Sequence, residues 1–147
     1  MKIKETQCRS AIAKCGFPGG GWAINPYVGC GHGCAYCYAR FIKRFTGHIE
    51  NWGDFVDVRM NIAEVLQKQL KSPKYKKGRI IIGTVTDPYQ PVEKKYEITR
   101  GILTVLANCP NPVSILTKSD LVLRDLDLLK KIKKVDVNFT INTLLGF

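Results

Sequence analysis

Three cysteines within eight residues are the feature of this sequence that most directly predicts chemistry. Cys30, Cys34 and Cys37 are separated by three and two residues, and Gly29, Gly31 and Gly33 lie around the first two. Glycine adopts positive φ angles easily, so such a loop can wrap closely around a compact object with its N–H groups turned toward sulfur. The pattern therefore predicts a bound metal ion or an iron–sulfur cluster.

Two kinds of occupant are consistent with this spacing. A structural zinc site takes four ligands, commonly as two pairs, so zinc would need His32, His48 or a distant cysteine as well. An iron–sulfur cluster is usually held by four thiolates, so a loop with three leaves one iron open to a ligand from outside the protein. An open iron is a feature of catalytic sites, and the residues alone leave both occupants open.

Alternating strands and helices must position this loop. Apolar, β-rich runs alternate with helical patterns, and the chain has neither an internal repeat nor a low-complexity tract. The predicted strands are 22–27, 55–59, 79–85, 113–117 and 135–140, and the predicted helices are 39–45, 62–70, 99–106 and 121–132. This order is typical of an α/β sheet with parallel strands.

The place of the cysteine loop in this series predicts where chemistry occurs. Right-handed crossovers put the carboxyl ends of parallel strands on one rim, and active sites of this architecture lie there. The pattern gives four main βα steps, or five if 55–59 is counted as a step. Because the cysteine loop directly follows the first strand, we expect it on that rim.

Length and composition limit the class of protein. The 147 residues predict one core domain, 22–147, preceded by an irregular segment, 1–21. Twenty-three Lys and Arg against twelve Asp and Glu give a net charge of +11, which favours anionic partners. No apolar run is long enough to cross a bilayer and the N-terminus lacks the apolar part of a signal peptide, so we expect a cytoplasmic protein without membrane association.

Segments around the loop resemble the radical S-adenosylmethionine (SAM) superfamily, and more narrowly the branch related to spore photoproduct lyase. Residues 25–27 (NPY) precede the loop and 38–40 (YAR) follow its last cysteine. Three further segments, 83–91 (GTVTDPYQP), 116–121 (LTKSDL) and 139–143 (FTINT), each fall at a predicted strand end. The likeness covers about 22–143. It implies a partial (βα) TIM-like barrel, truncated after its fourth barrel strand.

The resemblance implies a definite chemistry. A [4Fe–4S] cluster would be held by Cys30, Cys34 and Cys37, with SAM on the fourth iron. One electron, supplied by a flavodoxin- or ferredoxin-like reductant, would cleave SAM to methionine and a 5′-deoxyadenosyl radical that abstracts hydrogen from a substrate. The cofactor brings the reactivity and the protein the positioning. The substrate is unidentified, and nucleic acid is one candidate.

The resemblance also implies which side chains contact SAM. Tyr36 would lie against the adenine, while Thr86, Lys118 and Thr140 match strand-end positions with polar contacts to SAM. Each has a plainer interpretation: a core tyrosine, a turn residue, a solvated lysine and a half-buried strand residue, respectively. Tyr38 aligns with a tyrosine of a radical relay, or else packs on the following helix.

One departure from this branch concerns the substrate. Members that repair the photoproduct carry a hydrogen-donating cysteine at the end of the second strand, where this chain has 83–86 (GTVT). The missing thiol puts thymine-dimer repair in doubt, unless a tyrosine or another cysteine substitutes. Cys8, Cys15 and Cys109 remain, and we expect them to be small buried hydrophobes.

The main alternative is a basic zinc module that binds nucleic acid without catalysis. The basic runs 71–79 (KSPKYKKGR) and 130–134 (KKIKK) could contact phosphates. Both also lie near predicted helix C-termini, where lysines complement the helix dipole and solvate a surface. Finally, the last predicted strand has no helix after it, so we expect the chain to be a fragment of its family's domain.

Overall fold

Two β-sheets form the framework of the protein, and the computed structural model describes residues 1–16, 18 and 21–141. The strands are β1 Lys2–Thr6, β2 Ala13–Lys14, β3 Trp22–Ile24, β4 Tyr27–Val28, β5 Phe55–Arg59, β6 Ile80–Ile82, β7 Val113–Thr117 and β8 Val135–Phe139. The larger sheet has the order β2-β3-β6-β7-β8, and the smaller has the order β1-β5-β4. Together with the helices they form an open, partial α/β barrel.

Strands β3, β6, β7 and β8 are parallel, as the alternating pattern predicts. All three isoleucines of β6, Ile80 to Ile82, are buried, as expected for a central strand covered on both faces. The strand ends earlier than predicted because Gly83 turns the chain with a φ of 96°. A Cβ there would lie 2.6 Å from Cδ of Pro88, so this turn requires glycine.

In the described residues, all α-helices except the first contribute to the core on one face of the larger sheet. The α-helices are α1 Lys43–Thr46, α2 Ile62–Gln69, α3 Glu93–Tyr96, α4 Ile98–Leu106 and α5 Leu126–Leu129, and 3₁₀ helices lie at Tyr38–Ile42, Pro73–Tyr75 and Asp120–Asp125. The fully buried Leu66 of α2 and Leu106 of α4 share one core with Ile82 and Ile115 of the sheet. A Cβ on Gly101 would lie only 3.4 Å from Cβ of Ala63, so α2 and α4 are close neighbours.

The smaller sheet corrects three predictions. Segment 1–21 is not irregular throughout: it contains β1, which pairs in parallel with β5, and β2, which pairs with β3. The extended segment 55–59 is therefore a strand of the second sheet and not a fifth step of the main series. The predicted strand 22–27 is divided before Pro26 into β3 and β4, which lie in different sheets. Such pairings between distant segments leave no periodic signal in the sequence.

The last βα unit differs from its prediction in part. The predicted helix 121–132 is a 3₁₀ helix, Asp120–Asp125, followed by the short helix α5. Ser119 caps the 3₁₀ helix, since its hydroxyl accepts a hydrogen bond from the amide of Leu121 at 3.1 Å. Strand β8 is the edge of the larger sheet. Within the described residues, no helix has the length and apolar character needed to span a bilayer.

A buried carboxylate ties α3 to the strands and to the last βα unit. Glu93 is fully buried and accepts hydrogen bonds from the Tyr27 hydroxyl at 2.6 Å, the Thr99 amide at 2.8 Å and the Arg124 guanidinium at 2.6 Å. Burial and the neighbouring Glu93 charge raise the pKa of Tyr27 above its ordinary value, so the hydroxyl stays a donor. Three donors thus satisfy one buried charge, as burial of a charge requires.

A second buried carboxylate extends this network. Asp125 accepts a hydrogen bond from the Tyr89 hydroxyl at 2.9 Å and pairs with Arg100 and Arg124, each at 2.8 Å. Tyr89 belongs to the segment that follows β6. The network therefore anchors the chain between β6 and α4, which also forms part of the site.

Candidate active site

All seven residues that the sequence predicts for the site line one cavity. Its volume is about 290 Å³ and it lies at the carboxyl ends of the parallel strands. The predicted residues on its wall are Cys30, Cys34, Cys37, Tyr36, Thr86, Lys118 and Thr140, and other wall residues include His32, Tyr38, Trp52, Asp87 and Leu116. A single cavity thus brings together residues that are up to 110 positions apart in the chain (140 minus 30).

The cysteine loop is compact because glycines allow close backbone approach. Gly29 has a φ of 87°, and a Cβ there would lie 2.5 Å from the carbonyl oxygen of Phe55. Gly33 has a φ of 58° and packs against Gly53. Cys30 is buried, and this burial raises the pKa of its thiol to about 11, so Cys30 binds a metal only if metal binding offsets the cost of deprotonation.

Gln90 holds the cysteine loop in place. Its side chain is fully buried, and its amide oxygen accepts a hydrogen bond from the Gly31 amide at 2.8 Å. Its amide nitrogen donates to the Gly29 carbonyl at 3.2 Å, the Thr86 hydroxyl at 2.8 Å and the Asp87 carbonyl at 3.2 Å. The sequence pattern does not single out Gln90, because a buried amide in a loop belongs to no periodic pattern; its place in the segment 83–91 was the available signal.

Gln90→Leu keeps a similar volume but cannot make these hydrogen bonds. We expect it to destabilise the protein by about 1–3 kcal/mol, the cost of leaving buried polar groups without partners. The amount of iron retained per chain after reconstitution and buffer exchange should also fall in this variant. The matched control is Gln67→Leu, on an exposed position of α2. Equal stability and equal iron retention in both variants would contradict the role of Gln90.

Asp87 joins the loops that follow β6 and β7. Its carboxylate accepts hydrogen bonds from the Thr117 hydroxyl at 2.6 Å, the Tyr89 amide at 2.8 Å and the Lys118 amide at 3.0 Å, and His32 Nε2 lies 3.2 Å away. Burial alone would raise the pKa of this carboxyl. His32 and the hydrogen-bond donors outweigh burial and hold the pKa below its ordinary value, so Asp87 is a fixed negative charge in the cavity wall.

Lys118 brings a positive charge to the cysteines. Its Nζ lies 2.6 Å from Sγ of Cys34 and 3.2 Å from the hydroxyl of Tyr36, whose side chain is 63% exposed. Burial lowers the pKa of this ammonium, but the two hydrogen bonds outweigh burial and raise it above its ordinary value. Lys118 and Tyr36 therefore form one wall of the cavity, able to pair with an anionic group and to contact a ring.

Two of the predicted SAM contacts have structural partners of their own. The Thr86 hydroxyl is buried and donates to the Gly29 carbonyl at 2.6 Å, so it helps to hold the cysteine loop. Thr140 is exposed just beyond β8, and its amide donates to the Thr117 carbonyl at 3.0 Å. The Tyr38 hydroxyl donates to the Thr84 carbonyl at the cavity rim. Residues 142 and 143 of the predicted segment 139–143 lie outside the described residues.

The donors present fit an iron–sulfur cluster. The three thiols come from one loop and open into one cavity, beside the ammonium of Lys118 that can offset thiolate charge. In the part of the chain that the structure describes, no group of three His, Cys, Asp or Glu side chains is arranged to hold a single metal ion. A cluster does not need such an arrangement, because each thiolate binds a different iron.

His48, one of the candidate fourth zinc ligands, is engaged elsewhere. Its Nε2 lies 2.8 Å from a carboxylate oxygen of Asp57 and its Nδ1 lies 3.0 Å from one of Glu50, which itself pairs with Lys2. The ring stacks on Phe55 with centroids 3.9 Å apart. With a carboxylate at each nitrogen, His48 is best accommodated as a doubly protonated imidazolium that links β5 to the loop before it.

This arrangement predicts a pH dependence of stability. Burial lowers the pKa of His48, but the hydrogen bonds with Asp57 and Glu50 outweigh it and raise the pKa above its ordinary value. The stabilisation is therefore complete below the unfolded-state pKa of about 6.5 and is lost as the pH rises through the folded-state value. Urea unfolding midpoints should fall over that interval in the parent protein and stay flatter in His48→Gln. Identical pH profiles for the two proteins would contradict this.

None of the other three cysteines lines the cavity, although Cys15 belongs to a small apolar cluster with the wall residue Leu116. Cys8 is held through its backbone by the Asn61 amide, at 2.7 Å and 2.9 Å. Cys15 is buried with Ala23 on the sheet face opposite the main helices. Cys109 follows α4, where its Sγ contacts the Val105 carbonyl at 3.6 Å.

An open α/β barrel with a three-cysteine loop on the rim of its parallel strands defines the class of protein. The model of the radical SAM superfamily matches residues 24–145, and the chain belongs to this superfamily. Membership supports an enzyme that uses radical SAM chemistry, and the zinc-binding alternative is not favoured. It also confirms the family and the fold that the sequence predicts.

Relatives and solved structures agree with this assignment. An uncharacterised protein of Methanocaldococcus jannaschii is 38% identical over 146 residues, 99% of this chain and 54% of the relative. An uncharacterised protein of Mycobacterium tuberculosis is 36% identical over 156 residues, which cover 99% of this chain and 45% of the relative. The fold is similar to that of a spore photoproduct lyase mutant with bound AdoMet and dinucleoside spore photoproduct: the TM-score is 0.71, at 18% identity, over 96% of this chain and 40% of that one. The chain thus spans about half the length of the curated relatives.

Proposed function

We propose that this chain forms the cluster-binding part of an enzyme that cleaves SAM reductively at a [4Fe–4S] cluster and uses the resulting 5′-deoxyadenosyl radical to abstract hydrogen from a substrate. The observation that supports this most is that the three cysteines share one cavity with Tyr36, Lys118 and the other predicted SAM contacts. The electron comes from a carrier of the flavodoxin or ferredoxin type. The substrate is a separate question.

The side chains of this site have distinct roles in the proposal. Cys30, Cys34 and Cys37 hold the cluster, which when bound supplies the electron and an open iron for SAM. Tyr36 offers a ring to the adenine and Lys118 an ammonium to the SAM carboxylate, a charge-assisted contact. These two side chains are already 3.2 Å apart, so one bound molecule can contact both.

The test of the function is release of 5′-deoxyadenosine. The full chain is reconstituted anaerobically with iron and sulfide, and cluster loading is verified by iron and acid-labile sulfide. SAM and dithionite are then added. A loaded protein should release 5′-deoxyadenosine and methionine in equal amounts. A loaded protein that releases neither would refute the proposal, and zinc without labile sulfide in anaerobically purified protein would favour the zinc alternative.

Lys118→Ala tests the contact to the SAM carboxylate. We expect SAM binding to weaken by about 1–3 kcal/mol, the range for hydrogen bonds to charged groups, with cluster content unchanged. Equilibrium titration with SAM measures the affinity, and iron analysis of the same samples measures cluster content. Lys94→Ala, on the exposed surface of α3, is the control. Unchanged SAM affinity in Lys118→Ala would remove this lysine from the site.

A further inference from the structure

Three aromatic rings form an exposed ladder directly beside the cysteine loop. We call Tyr38, Phe41 and Phe45 the aromatic face; they are 59%, 39% and 77% exposed. The ring centroids of Tyr38 and Phe41 are 6.2 Å apart, and those of Phe41 and Phe45 are 6.3 Å apart. Contiguous exposed apolar surface of this kind marks a site of interaction with another molecule.

The charged residues in the chain segment that carries the aromatic face are all positive. Residues 6–49 contain five Lys or Arg and no Asp or Glu, and Arg40, Lys43 and Arg44 lie in the two helices that form the face. In the described residues none of these three cations has a carboxylate partner. Cations that are not neutralised by carboxylates attract an anionic partner over long range and speed its encounter.

The aromatic face is also continuous with the predicted cluster site. Tyr38 directly follows Cys37 and lines the cavity with it. Arg40, two positions after Tyr38, donates a hydrogen bond to the Cys34 carbonyl at 3.0 Å. A partner seated on the aromatic face therefore lies next to the loop that would hold the cluster.

We propose that the aromatic face is the docking surface of an acidic one-electron carrier protein. This docking proposal rests on the proposed function, because reductive cleavage of SAM needs an electron from outside the chain. In the docked complex the carrier loses one electron and the oxidised cluster gains it; no bond forms or breaks. Weak redox encounters use small interfaces, which suits three rings surrounded by three cations.

The geometry favours such a carrier over nucleic acid. A nucleic-acid site neutralises many phosphates, and a protein with strong salt dependence makes about 6 to 10 phosphate contacts along a strand. Here only three cations, Arg40, Lys43 and Arg44, lie in the segment that carries the compact aromatic face. Arg40 already donates a hydrogen bond to the Cys34 carbonyl of the cysteine loop. A compact basic and aromatic patch fits an acidic protein surface better than an extended strand.

The experiment measures how fast a carrier reduces the reconstituted cluster of the full chain. Reduced flavodoxin, an acidic flavoprotein, is mixed anaerobically with parent protein and with Lys43→Glu/Arg44→Glu, at low and at high ionic strength. We expect the double variant to be reduced at least about tenfold more slowly at low ionic strength, the lower end of electrostatic steering, and to lose most of its salt dependence. Phe45→Ala should also slow reduction, without changing the salt dependence.

The control is a charge-matched variant at the opposite end of the strands. Lys76→Glu/Lys77→Glu changes the net charge equally on exposed residues before β6, and should be reduced at the parent rate. A small photoreductant should reduce the cluster equally well in parent, double variant and control. Tyr38 and Arg40 are left unchanged because they contact the cavity and the cysteine loop.

Three outcomes would overturn the docking proposal. The carrier could reduce the Lys43→Glu/Arg44→Glu variant at the parent rate, or the Lys76→Glu/Lys77→Glu control could slow equally. A thymidine oligonucleotide could instead lose binding in the first variant while carrier rates stay unchanged, which would assign the face to nucleic acid. Failure of the proposed function is seen separately, as a photoreduced cluster that releases no 5′-deoxyadenosine.

Discussion

Alanine at Cys30, Cys34 or Cys37 is expected to abolish the cluster and with it all SAM cleavage. Two thiolates cannot hold a cubane that already lacks a fourth protein ligand. Each variant should contain almost no iron or labile sulfide after reconstitution, lose the visible absorbance of the cluster and release no 5′-deoxyadenosine. Cys30 should show the loss most completely, because its buried side chain leaves little room for water or an added thiol to replace it.

The matched controls are the three cysteines outside the cavity. Alanine at Cys8, Cys15 or Cys109 should leave iron content and colour unchanged, with at most a loss of stability at the buried Cys15. Circular dichroism verifies that each variant is folded. Loss of the cluster in a folded member of this second set would show that the ligands are assigned wrongly.

The largest expected effect on stability comes from Glu93→Ala. This change removes the acceptor of the Tyr27 hydroxyl, the Thr99 amide and the Arg124 guanidinium in a buried place. Breaking a buried ion pair by removing one partner costs about 3–5 kcal/mol. Because α3 follows the segment that carries Gln90, the cysteine loop should also become less well held, and iron retention should fall.

The measurement is urea unfolding of the full chain under anaerobic conditions. Asp127→Ala is the control: Asp127 pairs with Arg100 at 2.9 Å, but its side chain is 56% exposed. Exposed ion pairs contribute about 0–1 kcal/mol, so this variant should unfold close to the parent midpoint. A Glu93→Ala protein as stable as Asp127→Ala would mean that the buried network does not anchor this segment.

Strong local signals explain which parts of the fold could be predicted. The strands over 80–82 and 113–117 follow from short apolar runs, and α4 follows from its apolar face. Glycine and proline residues indicated where strands end, but they did not indicate which strands pair with each other. The smaller sheet was missed as a sheet because β1 alternates few apolar residues and pairs with β5 about fifty positions away, a contact that depends on the whole chain.

In the site, too, features with a local sequence signal could be predicted and features that depend on distant contacts could not. The three cysteines stand out in the sequence as candidate cluster ligands, because their spacing in a glycine-rich loop is typical of a cluster ligand set. Gln90 could not be predicted, since its amide acts only where the loop after β6 meets Gly29 and Gly31. His48 looked equally available as a ligand in the sequence, and only its contacts with Asp57 and Glu50 removed it.

The sequence by itself therefore predicted the candidate donors, and it determined the parallel α/β series that positions them and the rim on which they lie. These depend on residue type and on short periodic patterns, which act through neighbouring positions. Only the tertiary structure decided that Tyr36, Lys118 and the cysteines share one cavity, that Thr86 and Gln90 hold the cysteine loop and that the aromatic face is exposed beside it. Those properties depend on contacts between distant segments, whose distances are set by packing of the whole chain.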